Sequence, residues 1–167
     1  MYKRNIIVVL GYAALMSSAL LAATATANLT SSASVTATCS VTGGSIAFGA
    51  YDPFAALALN GATTIAVTCT TGMPPPPVTM DQGLNPAAGS TNAVPLRQLA
   101  ASATQFLAYN LFSDAGHTVA WENVTGVTSP TPNGLAQNMN VYGQIAAGQH
   151  SATAGAYTDS VIITVTF

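Results

Sequence analysis

The most constraining feature of this chain is the stretch with which it closes, "YTDSVIITVTF" at residues 157–167. Val161, Ile163, Val165 and Phe167 recur at period two, which is the pattern of a β-strand with one apolar face. Ser160, Thr164 and Thr166 take the other face, and Ile162 is the one exception. No Lys, Pro or bulge signal interrupts the run, although these are the devices that protect an exposed sheet edge from pairing with other chains. Whatever this chain folds into must therefore cover that row, with its own backbone or with another's.

The rest of the chain after residue 27 reads as short alternating segments separated by Gly, Pro, Asn and Ser, with no amphipathic helical stretch. "TTIAVTCTTG" sets Ile65, Val67 and Cys69 on one face and Thr64, Ala66, Thr68 and Thr70 on the other. "SIAFG" at 45–49 reads as a short strand, and "HTVAW" at 117–121 and "MNVYGQI" at 139–145 as two more. "QFLAYNLF" at 105–112 is apolar on both faces, the pattern of a central strand covered on each side. "TGVTSPTPNGLAQN" at 125–138 is a loop on composition. "MPPPP" at 73–77 lacks four consecutive backbone donors and reads as a stiff loop, outweighing a polyproline docking motif. About seven short strands and no internal repeat indicate an all-β sandwich of immunoglobulin-like type.

Lys3 and Arg4, a following apolar stretch and the small-x-small Ala25-Thr26-Ala27 have the layout of a secretory signal peptide over residues 1–27. That reading outweighs a retained membrane anchor, because Ser17 and Ser18 interrupt the run and a cleavage site follows. The processed chain keeps a single cation, Arg97, against Asp52, Asp81, Asp114, Glu122 and Asp159, a net charge of −4. A lone Arg excludes an electrostatic nucleic-acid footprint. Charged residues are 5% of the chain, where solubility usually rests on about 25%. Such a surface suits packing against copies of itself or a partner. In an exported protein the even pair Cys39 and Cys69 reads first as a disulfide, which would stabilise the fold by roughly 3–4 kcal/mol in the chain-entropy model. A metal or redox pair is the weaker reading, with no CxxC and no nearby His.

"LTSSASVTATCS" at 29–40 carries a hydroxyl at every even position and Leu29, Ser31, Ala33, Val35, Ala37 and Cys39 at the odd ones. Its lower half suits the first strand of the sandwich. Its upper half, residues 28–37, is a spare strand lying before the cysteine. The spare strand and the uncovered last strand admit two solutions. The segment folds back inside its own domain, or it completes the sandwich of the next copy, a head-to-tail contact that builds an open filament.

"SIAFGAYDP", "TTIAVTCTTG", "LAYNLFSDAGHTVAW" and "VYGQIAAGQHSATAGAYTDSVIITVTF" together resemble the spore coat protein U domain family, which includes subunits of archaic chaperone–usher pili. The likeness runs from about residue 28 to 167, and its closing stretch is the most specific part. The resemblance implies an incomplete immunoglobulin-like sandwich, residues 38–167, completed by a donor strand from a neighbouring subunit. It implies a donor segment at 28–37 with Leu29, Ser31, Ala33, Val35 and Ala37 facing the neighbour, and a Cys39–Cys69 bridge. The acceptor edge and chaperone contact would be Val161, Ile163, Val165 and Phe167, whose carboxylate would meet a basic chaperone residue. The implied partners are identical or related pilus subunits, a periplasmic chaperone and an outer-membrane usher, with no nucleic acid, no small-molecule substrate and no cofactor. The implied destination is the periplasm and then a surface fibre serving attachment and biofilm. Three departures stand out: the Pro74 to Pro77 run where relatives begin a strand, Glu122 after Trp121 where glycine is common, and Ala146-Ala147 for an Ile-Pro-like pair.

Ser113, Asp114, His117 and His150 are the residues from which a hydrolase or zinc site would be built, but neither a nucleophile-elbow motif nor metal-ligand spacing is present. Residues 113–117 read instead as a hairpin turn. Trp121 and Tyr109 read as core aromatics, Tyr157 as a corner residue bonding back to a loop, and Arg97 as one half of an ion pair. The expectation is a polymerising subunit rather than an enzyme. A self-assembling coat or matrix protein of the same family, and a monomeric secreted binding domain, are the alternatives.

Overall fold

The computed structural model describes residues 22–167; residues 1–21, which hold most of the expected signal peptide, lie outside the described residues. Val35–Phe167 form one compact unit. Eight strands are present among the described residues: β1 (Cys39–Thr42), β2 (Leu59–Cys69), β3 (Pro77–Met80), β4 (Arg97–Ser102), β5 (Gln105–Phe112), β6 (Val127–Thr128), β7 (Gln137–Ile145) and β8 (Ile163–Val165). They make a five-stranded sheet of order β1-β2-β7-β5-β4 and a three-stranded sheet of order β6-β3-β8. All pairings are antiparallel.

The alternation read from the sequence sorts residues onto the two faces. Ile65, Val67 and Cys69 of β2, Leu107, Tyr109 and Leu111 of β5, and Met139, Val141 and Ile145 of β7 point inward to Val78 and Met80 of β3 and to Trp121. Trp121 is fully buried and its indole N–H donates to Val78 O at 2.8 Å, which satisfies its one polar atom. Cys39 and Cys69 are paired directly across β1 and β2 and form a disulfide. Cys39 is thus the first residue of the first strand, where the lower half of 29–40 was expected to begin pairing.

Four expectations are corrected. "SIAFG" at 45–49 forms no ladder, although Ile46 and Phe48 still alternate inward onto the core. Its side chains are in strand register while its backbone has no neighbouring strand to bond. "HTVAW" is not a strand, because His117 turns at φ 55° and only Ala120 bridges back, to Phe112. "QFLAYNLF" is β5 but is covered on one face only, since a two-layer sandwich leaves the outer face of each sheet to solvent; Phe106 and Ala108 are exposed. The loop at 125–138 contains the two-residue β6. The proline run behaves as expected through Pro76, and Pro77 opens β3 as its first residue, a place where a missing N–H costs no ladder bond.

Arg97 is also corrected. It is 1% exposed, and its guanidinium meets oxygens of Asp81 (main chain, 2.8 Å), Met80 (main chain, 3.0 Å), Trp121 (main chain, 2.7 Å) and Asn110 (side chain, 3.0 Å) rather than a carboxylate. It joins the two sheets through the carbonyls at the end of β3. Burial lowers its pKa, an effect opposed by the fields of Tyr109, Asp81 and Asp159.

Candidate functional site

The two sheets do not close against each other along one side. β1 is an edge of the larger sheet and β8 an edge of the smaller, and these two edges face one another. The gap is narrow beside Gly43, which lies against Ile163. It widens toward residues 44–53 on one side and 152–163 on the other, into two adjoining cavities of about 230 and 760 Å³. Ser45, Ile46, Phe48, Leu99 and Asp159 line both, so together they form one groove. Its floor is core: Ile65, Met80, Tyr109, Leu111 and Val141 in the narrower part, Leu107 and Ile145 in the wider.

One wall is the unladdered 45–51 segment. Ile46 and Phe48 seat over Gly61 and Gly143, where a Cβ would lie 2.7 Å from Ile46 Cγ2 and 2.7 Å from Phe48 Cζ, respectively. Tyr51 fastens the end of this wall, donating to Ala146 O at 2.9 Å and accepting from Gln149 N at 3.0 Å. The Gln149 amide in turn continues the β5 ladder past the end of β7, accepting from Ala108 N and donating to Ala108 O, both at 2.8 Å.

The other wall is the last strand. Thr158 is bridged to Ala100 of β4, and Ile163–Val165 pair with β3, so the strand passes from one sheet to the other across 159–162. Asp81 N donates to Ile162 O, Ile162 N to Asp81 Oδ1, and Thr166 N to Pro77 O. The even residues thus turn their backbone groups to β3, and by strand alternation Val161, Ile163 and Val165 turn theirs toward the groove. Their side chains are half-buried against the core, whereas Phe167 is 61% exposed and stands outside that row.

Asp159 stands where the two cavities meet and is, among the described residues, the only charged side chain lining either. Tyr109 Oη donates to Asp159 Oδ2 at 2.7 Å, and Leu84 N to Asp159 Oδ1 at 2.9 Å. Burial, followed by this hydrogen bond, pushes the Tyr109 phenol far above its ordinary pKa, so it remains a donor. Tyr157 bonds back to its loop as expected, donating to Thr153 O at 2.9 Å and accepting from Thr153 N at 3.1 Å.

Residues 22–38 carry neither helix nor strand and are exposed throughout, with Leu29 95% and Val35 85% exposed. The residues weighed for catalysis are engaged in turns. The Asp114 carboxylate accepts from the Val119 amide and from the hydroxyl and amide of Thr118, which hold its pKa below the ordinary value, and Ser113 Oγ bonds Val119 O. His117 packs edge-on against Phe112, and His150 stacks on Phe54. Among the described residues no three His, Cys, Asp or Glu converge as metal ligands. The 45–51 wall and Asp159 are the groove residues that sequence reasoning missed. The alternation of Ile46 and Phe48 was the available signal for the first, and nothing in the pattern marked the second.

An antiparallel two-sheet sandwich left open between its first and last strands defines the class: an all-β, immunoglobulin-like domain with an incomplete sandwich. The Spore Coat Protein U domain model matches residues 25–164, and the chain belongs to that family. It is 40% identical over 132 residues to Protein U of Myxococcus xanthus, covering 75% of this chain and 73% of that protein. Its fold is similar to a solved chaperone–tip adhesion subunit pre-assembly complex, CsuC–CsuE, from the archaic chaperone–usher Csu pili of Acinetobacter baumannii, with a TM-score of 0.53 at 21% identity. That match covers 80% of this chain, which spans 40% of the length of the solved chain.

Proposed function

We propose that this protein is an exported structural subunit whose copies join by donor-strand complementation into a surface fibre serving attachment and biofilm formation. In this reading residues 1–27 are removed on export, residues 28–37 are the donor strand and residues 38–167 the acceptor domain. A periplasmic chaperone fills the groove first, and an outer-membrane usher exchanges its strand for the segment of the next copy. The observation that carries the reading is the groove itself. One wall offers the backbone groups of Val161, Ile163 and Val165, and its floor is the core of the domain. A strand laid there gains main-chain hydrogen bonds along its length and seats alternate side chains in the floor.

The ends of the domain support head-to-tail joining. The chain enters β1 beside Thr70, whose N–H bonds Thr38 O, at the end of the sandwich where Thr166 meets Pro77. The groove is widest at the opposite end, between 44–53 and 152–160. A segment leaving one end and entering the other links copies in a line. It runs antiparallel to the last strand, with Ala37 toward the wide mouth and Leu29 toward Val165 and Phe167. The small Ser31, Ala33 and Ala37 suit a shallow floor and a modest affinity per side chain. The 40% identity to Protein U favours a second reading, a coat subunit that self-assembles through the same groove without a pilus.

The test is to express the processed chain with and without residues 28–37 and run unheated samples in detergent. A fibre subunit gives ladders of multimers only with the segment, and accumulates only beside a chaperone. A coat subunit gives them without a chaperone, and a chain that stays monomeric in both forms overturns both readings.

A further inference from the structure

We propose that Asp159 is a positioning residue of the groove, tying the last-strand wall to the floor so that the groove stands ready for an incoming strand; this rests on the donor-strand reading above. An apolar groove is not stable in shape by itself, because walls that move together gain dispersion contacts and bury area. The wall at 159–162 is where such movement is easiest. Below it the strand is bridged to β4, above it to β3, and between them it crosses from one sheet to the other.

Side chains hold that crossing. Asp159 reaches the floor through Tyr109 Oη and the loop behind the wall through Leu84 N. Asp81 secures the next turn of the wall through Ile162 N and its own loop through Gly83 N, at 2.9 and 3.0 Å. A carboxylate in this place works in two ways. Its two bonds fix the spacing of wall, floor and loop, and its cost of desolvation keeps the wall from closing onto the apolar floor. Gly83 is shaped to this arrangement: it has φ 77°, and a Cβ on it would collide with Asp159 Oδ2. The loop therefore has a backbone that only glycine adopts readily, at the one point where the Asp159 carboxylate needs room.

The experiment measures loading of a fluorescent synthetic peptide of residues 28–38 onto single copies of the processed, disulfide-bonded full chain, separated from multimers by gel filtration, by anisotropy, alongside urea unfolding. Asp159→Ala is expected to slow loading about tenfold or more, the equivalent of one charge-assisted hydrogen bond. Asp159→Asn, which keeps an acceptor for Leu84 N and a donor for Tyr109 Oη, is expected to load within about threefold of the parent. Gly83→Ala is expected to reproduce the slow loading, and the Gly83→Ala/Asp159→Ala double variant to be no slower than Asp159→Ala alone. Should Asp159→Ala fail to fold, Tyr109→Phe removes the floor contact alone and is expected to load slowly and to speed amide exchange at Leu84. Variants that lose stability yet load at the parent rate overturn the positioning role and leave the donor-strand reading standing. Single copies of the parent chain that do not take up the peptide overturn both.

Discussion

Replacing Arg97 with Met tests whether the one Lys or Arg after residue 27 is a structural clip between the sheets. Met fills a similar volume and carries none of the guanidinium donors. Its introduction leaves the carbonyls of Met80 and Trp121, both in buried hydrogen bonds, without their partner, and strips Asp81 O and Asn110 Oδ1 of theirs. Two buried orphaned carbonyls cost roughly 1–3 kcal/mol each, so the gross loss is about 2–6 kcal/mol. Removing a charge that is 1% exposed returns part of its desolvation cost, which brings the expected net loss to about 2–4 kcal/mol. Arg97→Lys keeps the charge but cannot span four acceptors, and is expected to lose about half as much. The assay is urea unfolding with the disulfide intact, followed by the fluorescence of Trp121, the single tryptophan, whose own carbonyl is one of the four acceptors. A net loss under about 1 kcal/mol for Arg97→Met, or a larger loss for Lys than for Met, would refute the clip.

Three further outcomes follow from neighbouring geometry. Burial raises the Glu122 pKa, but the Thr125 hydroxyl and the amides of Gly126, Thr125 and Val124 outweigh it and hold the folded value below the ordinary one. Its contribution is therefore present above the unfolded carboxylate pKa and lost as acid reaches the folded one, so stability should fall less steeply toward acid in Glu122→Gln than in the parent, measured by thermal unfolding at stepped pH. Gln149→Ala is expected to cost about 1–2 kcal/mol and to speed amide exchange at Ala108, whose N–H and C=O it bonds. Gly143→Ala, with its methyl 2.7 Å from Phe48 Cζ, is expected to cost about 1–3 kcal/mol and to displace the 45–51 wall, read as increased proteolysis there.

How much of this was legible depended on whether side-chain alternation and backbone pairing coincide. In β2, β5 and β7 they do: each has two neighbours in its sheet, and β2 stood out by period two, β5 as an apolar run and β7 as a short strand segment. At 45–49 they part company, since Ile46 and Phe48 obey the alternation while their backbone faces the groove. Pattern reads faces, not partners. β3 and β4 were missed for opposite reasons. β3 follows a proline run that reads as loop, and β4 spends an inward position on Arg97, a residue that no hydrophobic template scores as core. His117 ends the expected 113–117 turn and begins the expected 117–121 strand, and the sequence does not arbitrate between them because a left-handed backbone at a non-glycine residue has no sequence signature. The wall residues Val161, Ile163 and Val165 were readable from the start, but nothing in the pattern marked Asp159, whose place in the groove shows only through its contact with Tyr109.

The cystine has a mechanical meaning that its thermodynamic value does not express. It sits on the first strand residue after the exposed leading segment, so a pull on that segment meets only the bonds between Thr38 and Thr70 before it reaches a covalent staple. β1 is four residues long and would unzip readily by itself. Through Cys69 the load passes instead to β2, the eleven-residue strand bonded to β7 along nine positions, and is taken in shear by the middle of the larger sheet.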